Sequence, residues 1–418
     1  MARPKKIQKI NHGGNRTRID DLDDHMLAQI LLRLPNCKTV LACSAVNKRW
    51  CSLISDSNFH SQFANHKKNT TTLLKGYNEP PWTFLTTVYG SEERLLTTEF
   101  IFEPKLSLEF LPCNKCTTRA TFKDLVLCSS YKPCQEGGGR VYYITNPLTK
   151  QWVALPPCPW GSITWTGFIC QPLYSDTKRY KFRVVLARYR VDKFDLVVYC
   201  SEIGEWKEFN LRIPKEVGSL NVNTEEPEIV ICNGIVYFKT GLRLVALDPF
   251  DVNDNCDTTT LEARIMPPLP GLGYLQESSG QLFVLHTPEK NGEASLPYQK
   301  DGTAIKLQLV MWKLNLNQES LVWETTFQGL CKGTVNYPDD PTFEGYIDAK
   351  DIGVHPYNEK LIYIHLSREK KVVLCDTRTC CITSLKRSDH VGRFHRLEQQ
   401  WWPTSVPALV QCLTDSQN

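Results

Sequence analysis

The strongest constraint on this chain is a hairpin plan that recurs from about residue 100 onward: an apolar strand, a polar or proline-containing turn, and a second strand often carrying Trp and ending near Pro. Its clearest copies are VYYITNPLTKQWVALPPCP (141–159), VVYCSEIGEWKEFNLRIP (197–214), RLVALDPFDVNDN with LEARIMPPLP (243–270), and VMWKLNLNQESLVWETTF (310–327). FIFEPKLSLEFLP (100–112) and VVLCDTRTCCITSLK (372–386) are weaker echoes, making six in all. Another β-rich run precedes each, as in WTFLTTVYG (82–90), FKDLVLCSS (122–130), YKFRVVLARY (180–189), IVICNGIVYFKT (229–240), GQLFVLH (280–286) and EKLIYIHLS (359–367). Two hairpins per repeat predict a four-stranded sheet.

The echoes start about 40 to 67 residues apart, near the period of kelch-like blades. Small sheets arranged radially cover one another's faces and leave only short edges, so a six-bladed kelch-like β-propeller over residues 82–410 is expected. A pair of β-sandwiches competes, and the irregular period is its support. One unit repeating without a midway linker favours the propeller.

The N-terminal region has a different period. Met26, Leu27, Ile30, Leu31 and Leu34 recur at intervals of three and four, which lays a broad apolar stripe on one helix, with Asp23 or Asp24 as N-cap. Pro35 stops it. Asn36 can cap a second helix bearing Val40, Leu41, Ala45 and Val46, and Trp50, Leu53 and Ile54 mark a third. Phe59 and Phe63 repeat the spacing in a final turn. A bundle of about forty residues buries little of its own surface, so so wide a stripe calls for a partner or a neighbouring domain. A private helical cap packed on its own protein is the alternative.

These residues resemble an F-box: Leu22, two acids, Ile30 and Leu31, Arg33-Leu34-Pro35, then Val46, Lys48, Trp50, Leu53-Ile54-Ser55-Asp56 and Phe59. Asp23 stands where that family usually has Pro, His25 where it often has an acid, and Gln29 where Glu is common; the stripe itself is intact. The resemblance implies docking on a Skp-type adaptor, and through it on a cullin in an SCF-type ubiquitin ligase. The residues expected at that surface are Leu22, Met26, Ile30, Leu34, Pro35, Val40, Leu41, Val46 and Trp50, the last also holding the bundle together.

Further along, NPLTKQWVALPP (146–157), Gly167-Phe168, CNGIVYF (232–238) with LVALDPFD behind it, and GVHPYNEKLIYI (353–364) are similar to the F-box-associated, kelch-related propeller of a large plant family. In that family the propeller recruits the target protein, which makes the whole a connector and not a catalyst. The expected layout is a basic tail (1–17), the F-box (18–66), a linker (67–81), the propeller (82–410) and a short tail (411–418). A stand-alone propeller binding module, its helical cap no longer docking, is the alternative function.

Composition sets outer limits. At 418 residues with 41% hydrophobic and 22% charged side chains, the chain has a globular balance, and a net charge of +4 gives no basic face for nucleic acid. RPKKIQK (3–9) reads as a solvated tail. With neither a membrane-spanning apolar run nor a signal-peptide core, a nuclear or cytoplasmic protein is expected, with no membrane partner.

Seventeen cysteines, an odd number, many inside apolar runs, read as reduced core thiols. Cys113 and Cys116 form a CxxC pair, but Cys128 and Cys134 follow at loose spacing, so no zinc site is expected. No cofactor is implied. His286, His355 and His365 lie in or beside β runs, His390 and His395 suit a solvated or anion-contacting face, and GGGR (137–140) precedes a strand, which makes it a turn and not a phosphate loop. No nucleophile with its base stands out. For the target surface the candidates are Trp160 and Trp165, bracketing a small-residue loop, and the polar excursion 287–302; blade packing is the competing role for both Trp.

Overall fold

The computed structural model describes residues 19–407 and 409, apart from 76–81, 90–95, 101–105, 114–115, 133–138, 161–164, 174–175, 191–192, 213–227, 241, 252–259, 272, 287–295, 302–303, 316–320, 335–341, 348–351, 367–370, 388–393 and 401. The tails read as 1–17 and 411–418 lie outside the described residues. The chain divides into two compact units, residues 1–78 and 79–418.

The first unit is helical. Its helices are α1 (Asp24–Leu32), α2 (Cys37–Cys43), α3 (Lys48–Ser55) and α4 (Ser57–Lys75). Three of them are capped alike: Asp23 accepts from the Met26 amide at 2.7 Å, Asn36 from Thr39 at 2.9 Å and Asn47 from Trp50 at 2.9 Å. Each cap satisfies an amide that the helix itself leaves open. Arg49 ties α3 to the start of α1 through the Asp24 carboxylate at 2.7 Å and the Leu22 carbonyl. Leu27, Leu31, Leu32, Val40, Trp50, Ile54, Phe59 and Phe63 are buried. The final turn expected at Phe59 and Phe63 is in fact the opening of a nineteen-residue helix, so 67–75 continues α4 instead of forming a linker.

The second unit is a ring of antiparallel meanders. β1 (Trp82–Tyr89) and β2 (Leu96–Phe100) pair first. β3 (Thr117–Phe122), β4 (Leu125–Lys132), β5 (Gly139–Asn146) and β6 (Gln151–Ala154) make one sheet. β7 (Trp165–Leu173), β8 (Asp176–Arg190), β9 (Lys193–Cys200) and β10 (Glu205–Arg212) make the next. It is followed by β11 (Glu228–Cys232), β12 (Ile235–Thr240), β13 (Arg243–Leu247), β14 (Thr260–Glu262), which returns to pair in parallel with β10, and β15 (Arg264–Ile265).

β16 (Gly273–Ser278), β17 (Gln281–His286), β18 (Leu296–Asp301), β19 (Ala304–Asn315), β20 (Val322–Thr334) and β21 (Thr342–Ile347) come next, the pair β18 and β21 extending the edge beside β19. β22 (Ile352–Val354), β23 (Leu361–Leu366), β24 (Lys371–Asp376) and β25 (Cys381–Arg387) form a last meander, joined to β20 by a short parallel ladder at Lys332–Cys381 and Gly333–Ile382. β26 (His395–Glu398) then pairs with β1, so the C-terminal strand closes the ring on the first.

The expected hairpins at 141–159, 197–214, 243–270, 310–327 and 372–386 match β5–β6, β9–β10, β13–β15, β19–β20 and β24–β25. The echo at 100–112 shows none among the described residues: Phe100 ends β2, 101–105 lie outside the described residues, and 106–113 carries no strand. Residues 296–301, read as part of a flexible excursion, are strand β18.

Strand centres such as Phe182–Ala187 are buried throughout because each sheet has a neighbour on both faces. Apolar clusters fill the gaps between successive meanders, including those centred on Leu127 and Phe168, on Val185 and Phe238, on Leu244 and Leu282, on Phe283 and Ile364, on Phe84 and Tyr363, and on Leu85 and Val126. The unit is a β-propeller. Its tight turns use the chemistry such turns demand: Asn233-Gly234 and Ser279-Gly280 take left-handed pairs with φ of 49° and 87°, and 51° and 73°. The Asn233 side chain donates to the Gly280 carbonyl at 2.9 Å, tying one turn to the next.

Candidate functional site

Two surfaces have the placement to bind something. On the helical unit, Met26, Ile30 and Val46 are 49%, 40% and 60% exposed, and Pro35 is exposed beside them in sequence. Leu22, Leu34 and Leu41 are half-buried. Val40 and Trp50, expected at the docking surface, turn inward and belong to the interior. The cause is helix packing: α4 packs against α1 and against α3, which carries Trp50, and α2, which carries Val40, packs against α3. Asp23 is the N-cap of α1, so the departure from Pro leaves the helix start secured by a side-chain acceptor.

In the propeller, a cavity of about 480 Å³ lies where β1, β3, β7, β11, β16, β22 and β26 meet. Its wall carries a fixed charge network. Arg396 donates through Nη1 to the Glu277 carbonyl at 2.8 Å, through Nη2 to the Glu277 carboxylate, and through Nε to Glu398 at 2.7 Å. The Tyr357 hydroxyl donates to the other Glu398 oxygen at 3.2 Å. Burial works against the charge on Arg396, but Glu277 and Glu398 outweigh it and hold the guanidinium above its ordinary range.

Beside it, burial first and then Arg396 push His355 down to about 4, which keeps its imidazole neutral at physiological pH. Its Nδ1 accepts from the Tyr357 amide at 3.1 Å. Arg396 therefore has its charge balanced within the wall, whereas Lys123, exposed at the turn between β3 and β4, presents a cation at the rim. This wall draws on residues from 84 to 398, so no local motif marks it.

The Trp160 and Trp165 side chains both pack against the blades. Trp160 is 5% exposed, donates to Glu208 at 3.3 Å and lies under the Arg188 guanidinium at 4.0 Å. Trp165 is half-buried against the Val185 cluster. Neither ring stands clear as an anchor, and 161–164 between them lie outside the described residues.

Cys116 and Cys128 are buried with thiols hydrogen-bonded to each other, a contact that, with burial, raises Cys116. Cys134 lies outside the described residues, and among the described residues no group of three or more His, Cys, Asp or Glu is placed to hold a metal ion. His355 and His365 are buried and His395 is half-buried in β26; His390 lies outside the described residues. No described helix is long and apolar enough to cross a membrane.

A small helical unit with outward apolar side chains, followed by a β-propeller closed by its own C-terminal strand, is the architecture of an F-box protein. Residues 19–62 match the F-box domain, and residues 106–402 match the family described as F-box protein At3g26010-like, beta-propeller; the chain belongs to that family. It is 23% identical over 384 residues to F-box protein At3g26010 of Arabidopsis thaliana, covering 87% of this chain and 79% of that one. F-box protein At5g07610 of the same plant is 24% identical over 439 residues, with 95% and 96% covered. Putative F-box/kelch-repeat protein At1g15680 is 24% identical over 215 residues, about half of each chain.

Proposed function

We propose that this chain is the substrate receptor of an SCF-type ubiquitin ligase. The helical unit docks on a Skp-type adaptor, which brings a cullin, and the propeller holds a target protein for ubiquitination. The observation that carries the reading is the exposure of Met26, Ile30 and Val46 on a unit that already has its own interior. Such side chains are the anchors by which helical segments seat in a partner's groove. The protein contributes position and no bond-making chemistry: it raises the local concentration of the target beside the transferring enzyme. Among the described residues, six clusters between successive meanders support a six-bladed count, and the roughly fifty-residue period supports a kelch-like type.

The test is capture of a recombinant Skp-type adaptor by the full chain. Met26→Asp, Ile30→Asp and Val46→Asp are each expected to weaken capture at least about tenfold, because a buried unpaired charge replaces an apolar contact. The propeller should melt unchanged. Undiminished capture by all three variants would sink the assignment of this face.

A further inference from the structure

Arg119 is the extra residue of a β-bulge: Thr118 faces Cys128 and Ala120 faces Leu127, leaving Arg119 without a partner across the ladder. Bulges re-aim a side chain, and this one sends a guanidinium over the second strand, where Nε donates to the Ser129 hydroxyl at 2.7 Å. A second guanidinium arrives at the same oxygen. Arg140, the second residue of β5 where a turn was expected, donates Nη1 to Ser129 at 3.2 Å.

Two like charges therefore converge on one neutral hydroxyl. Among the described residues no carboxylate forms an ion pair with either one, and Arg140 Nε is buried with no hydrogen-bond partner. The nearby carboxylate of Glu208 takes the Trp160 indole N–H, and Asp195 pairs with Arg188 at 3.0 Å. Burial, and after it Arg140, hold Arg119 below the usual arginine range. Two half-buried guanidiniums with open donors and no ion pair among the described residues form an arrangement that an anion completes, since a forked guanidinium matches two oxygens at once.

We infer that Arg119, Arg140 and Ser129 form an oxyanion-binding site in the propeller, beside the cavity that Arg119 also lines, taking a carboxylate or phosphate group with two or more oxygens. The site lies within one sheet and is independent of adaptor docking. Its chemistry is shared by a free phosphate ion and by an acidic or phosphorylated side chain of a bound polypeptide, and the two are separated by the probe used.

The experiment is a thermal-shift titration of the full chain at constant ionic strength, replacing chloride with inorganic phosphate or, separately, with N-acetyl-phosphoserine amide. A saturable rise in melting temperature is expected. Arg119→Gln and Arg140→Gln should each weaken the half-saturation concentration about ten- to hundredfold, the effect of one charge-assisted hydrogen-bonding group. Arg378→Gln, at an exposed ion pair on the β24–β25 turn, should leave it unchanged.

In chloride alone the Gln variants at positions 119 and 140 should melt no lower than the wild type, because each removes a like-charge repulsion. A response to both probes supports a site open to a polypeptide's phosphate; a response to inorganic phosphate alone supports a site for the free ion. No saturable response in the wild type, or an equal response in both Gln variants, overturns the proposal. If a Gln variant fails to fold, Arg119→Lys and Arg140→Lys keep each charge and lose the fork, so a weakened response in those variants supports the site and an undiminished one counts against it.

Discussion

The Thr404 amide donates to the Asp124 carboxylate at 2.8 Å, across 280 residues of chain. Asn146 completes the joint: its side-chain amide donates to Asp124 at 2.9 Å and to the Thr404 carbonyl at 2.8 Å. One buried carboxylate thus binds the segment after β26 to the turn between β3 and β4, while β26 itself pairs with β1. Closure of the ring is held by a strand ladder and by this polar clasp.

Asp124→Ala removes the shared acceptor and leaves two buried donors short of a partner. A loss of about 1–3 kcal/mol in unfolding free energy is expected from urea denaturation. Faster hydrogen exchange at the Thr404 amide should accompany it. Unchanged exchange there would mean that the clasp does not hold the C-terminal segment.

His355 gives the propeller an acid limit. Its folded value of about 4 lies below the ordinary 6.5, so the neutral form is the one the fold holds. Above pH 6.5 both states are neutral and the residue adds no pH dependence. As pH falls from 6.5 toward 4 the unfolded chain takes up a proton that the folded chain refuses, and stability declines by about 3 kcal/mol across that window. The surroundings that refuse the charge are Arg396 and the rings of Trp82 and Tyr363, at 4.6 and 6.3 Å between centroids. His355→Gln should flatten the stability curve between pH 6.5 and 4 relative to the wild type. Parallel curves for the two proteins would refute the assignment.

The parts legible in the sequence were those written in local pattern. Asn36 as a cap, the stripe through Leu27 and Leu31, and five of the six hairpin echoes all rest on neighbours within a few residues. What was missed depends on distant or non-periodic partners. The length of α4 hides in SNFHSQFANHKKNTTTLLK, too polar for a stripe, and without it Trp50 reads as an outward anchor. The Glu277, Arg396 and Glu398 network joins residues more than a hundred positions apart. Arg119 was invisible as a binding candidate because a bulge shifts it out of the strand's alternation, and Arg140 because the glycines before it suggested a turn.

The seam between the first and last meanders offers a sharper test of packing. Gly353 in β22 lies under the Phe84 ring so closely that a Cβ would stand 2.4 Å from Phe84 Cζ. Phe84 cannot yield easily, since it stacks on Phe394 at 5.1 Å and meets Tyr363 edge-on at 5.4 Å. Gly353→Ala is therefore expected to destabilise the propeller by about 1–3 kcal/mol through overpacking, against a small gain from reduced freedom of the unfolded chain. Phe84→Leu removes the far edge of the ring and costs stability by itself, but it also opens the space the new methyl needs. Adding Gly353→Ala to a Phe84→Leu background should then cost at least about 1 kcal/mol less than adding it to the wild type. Additive losses in that double-mutant cycle would show that Gly353 is required for some reason other than the approach of Phe84.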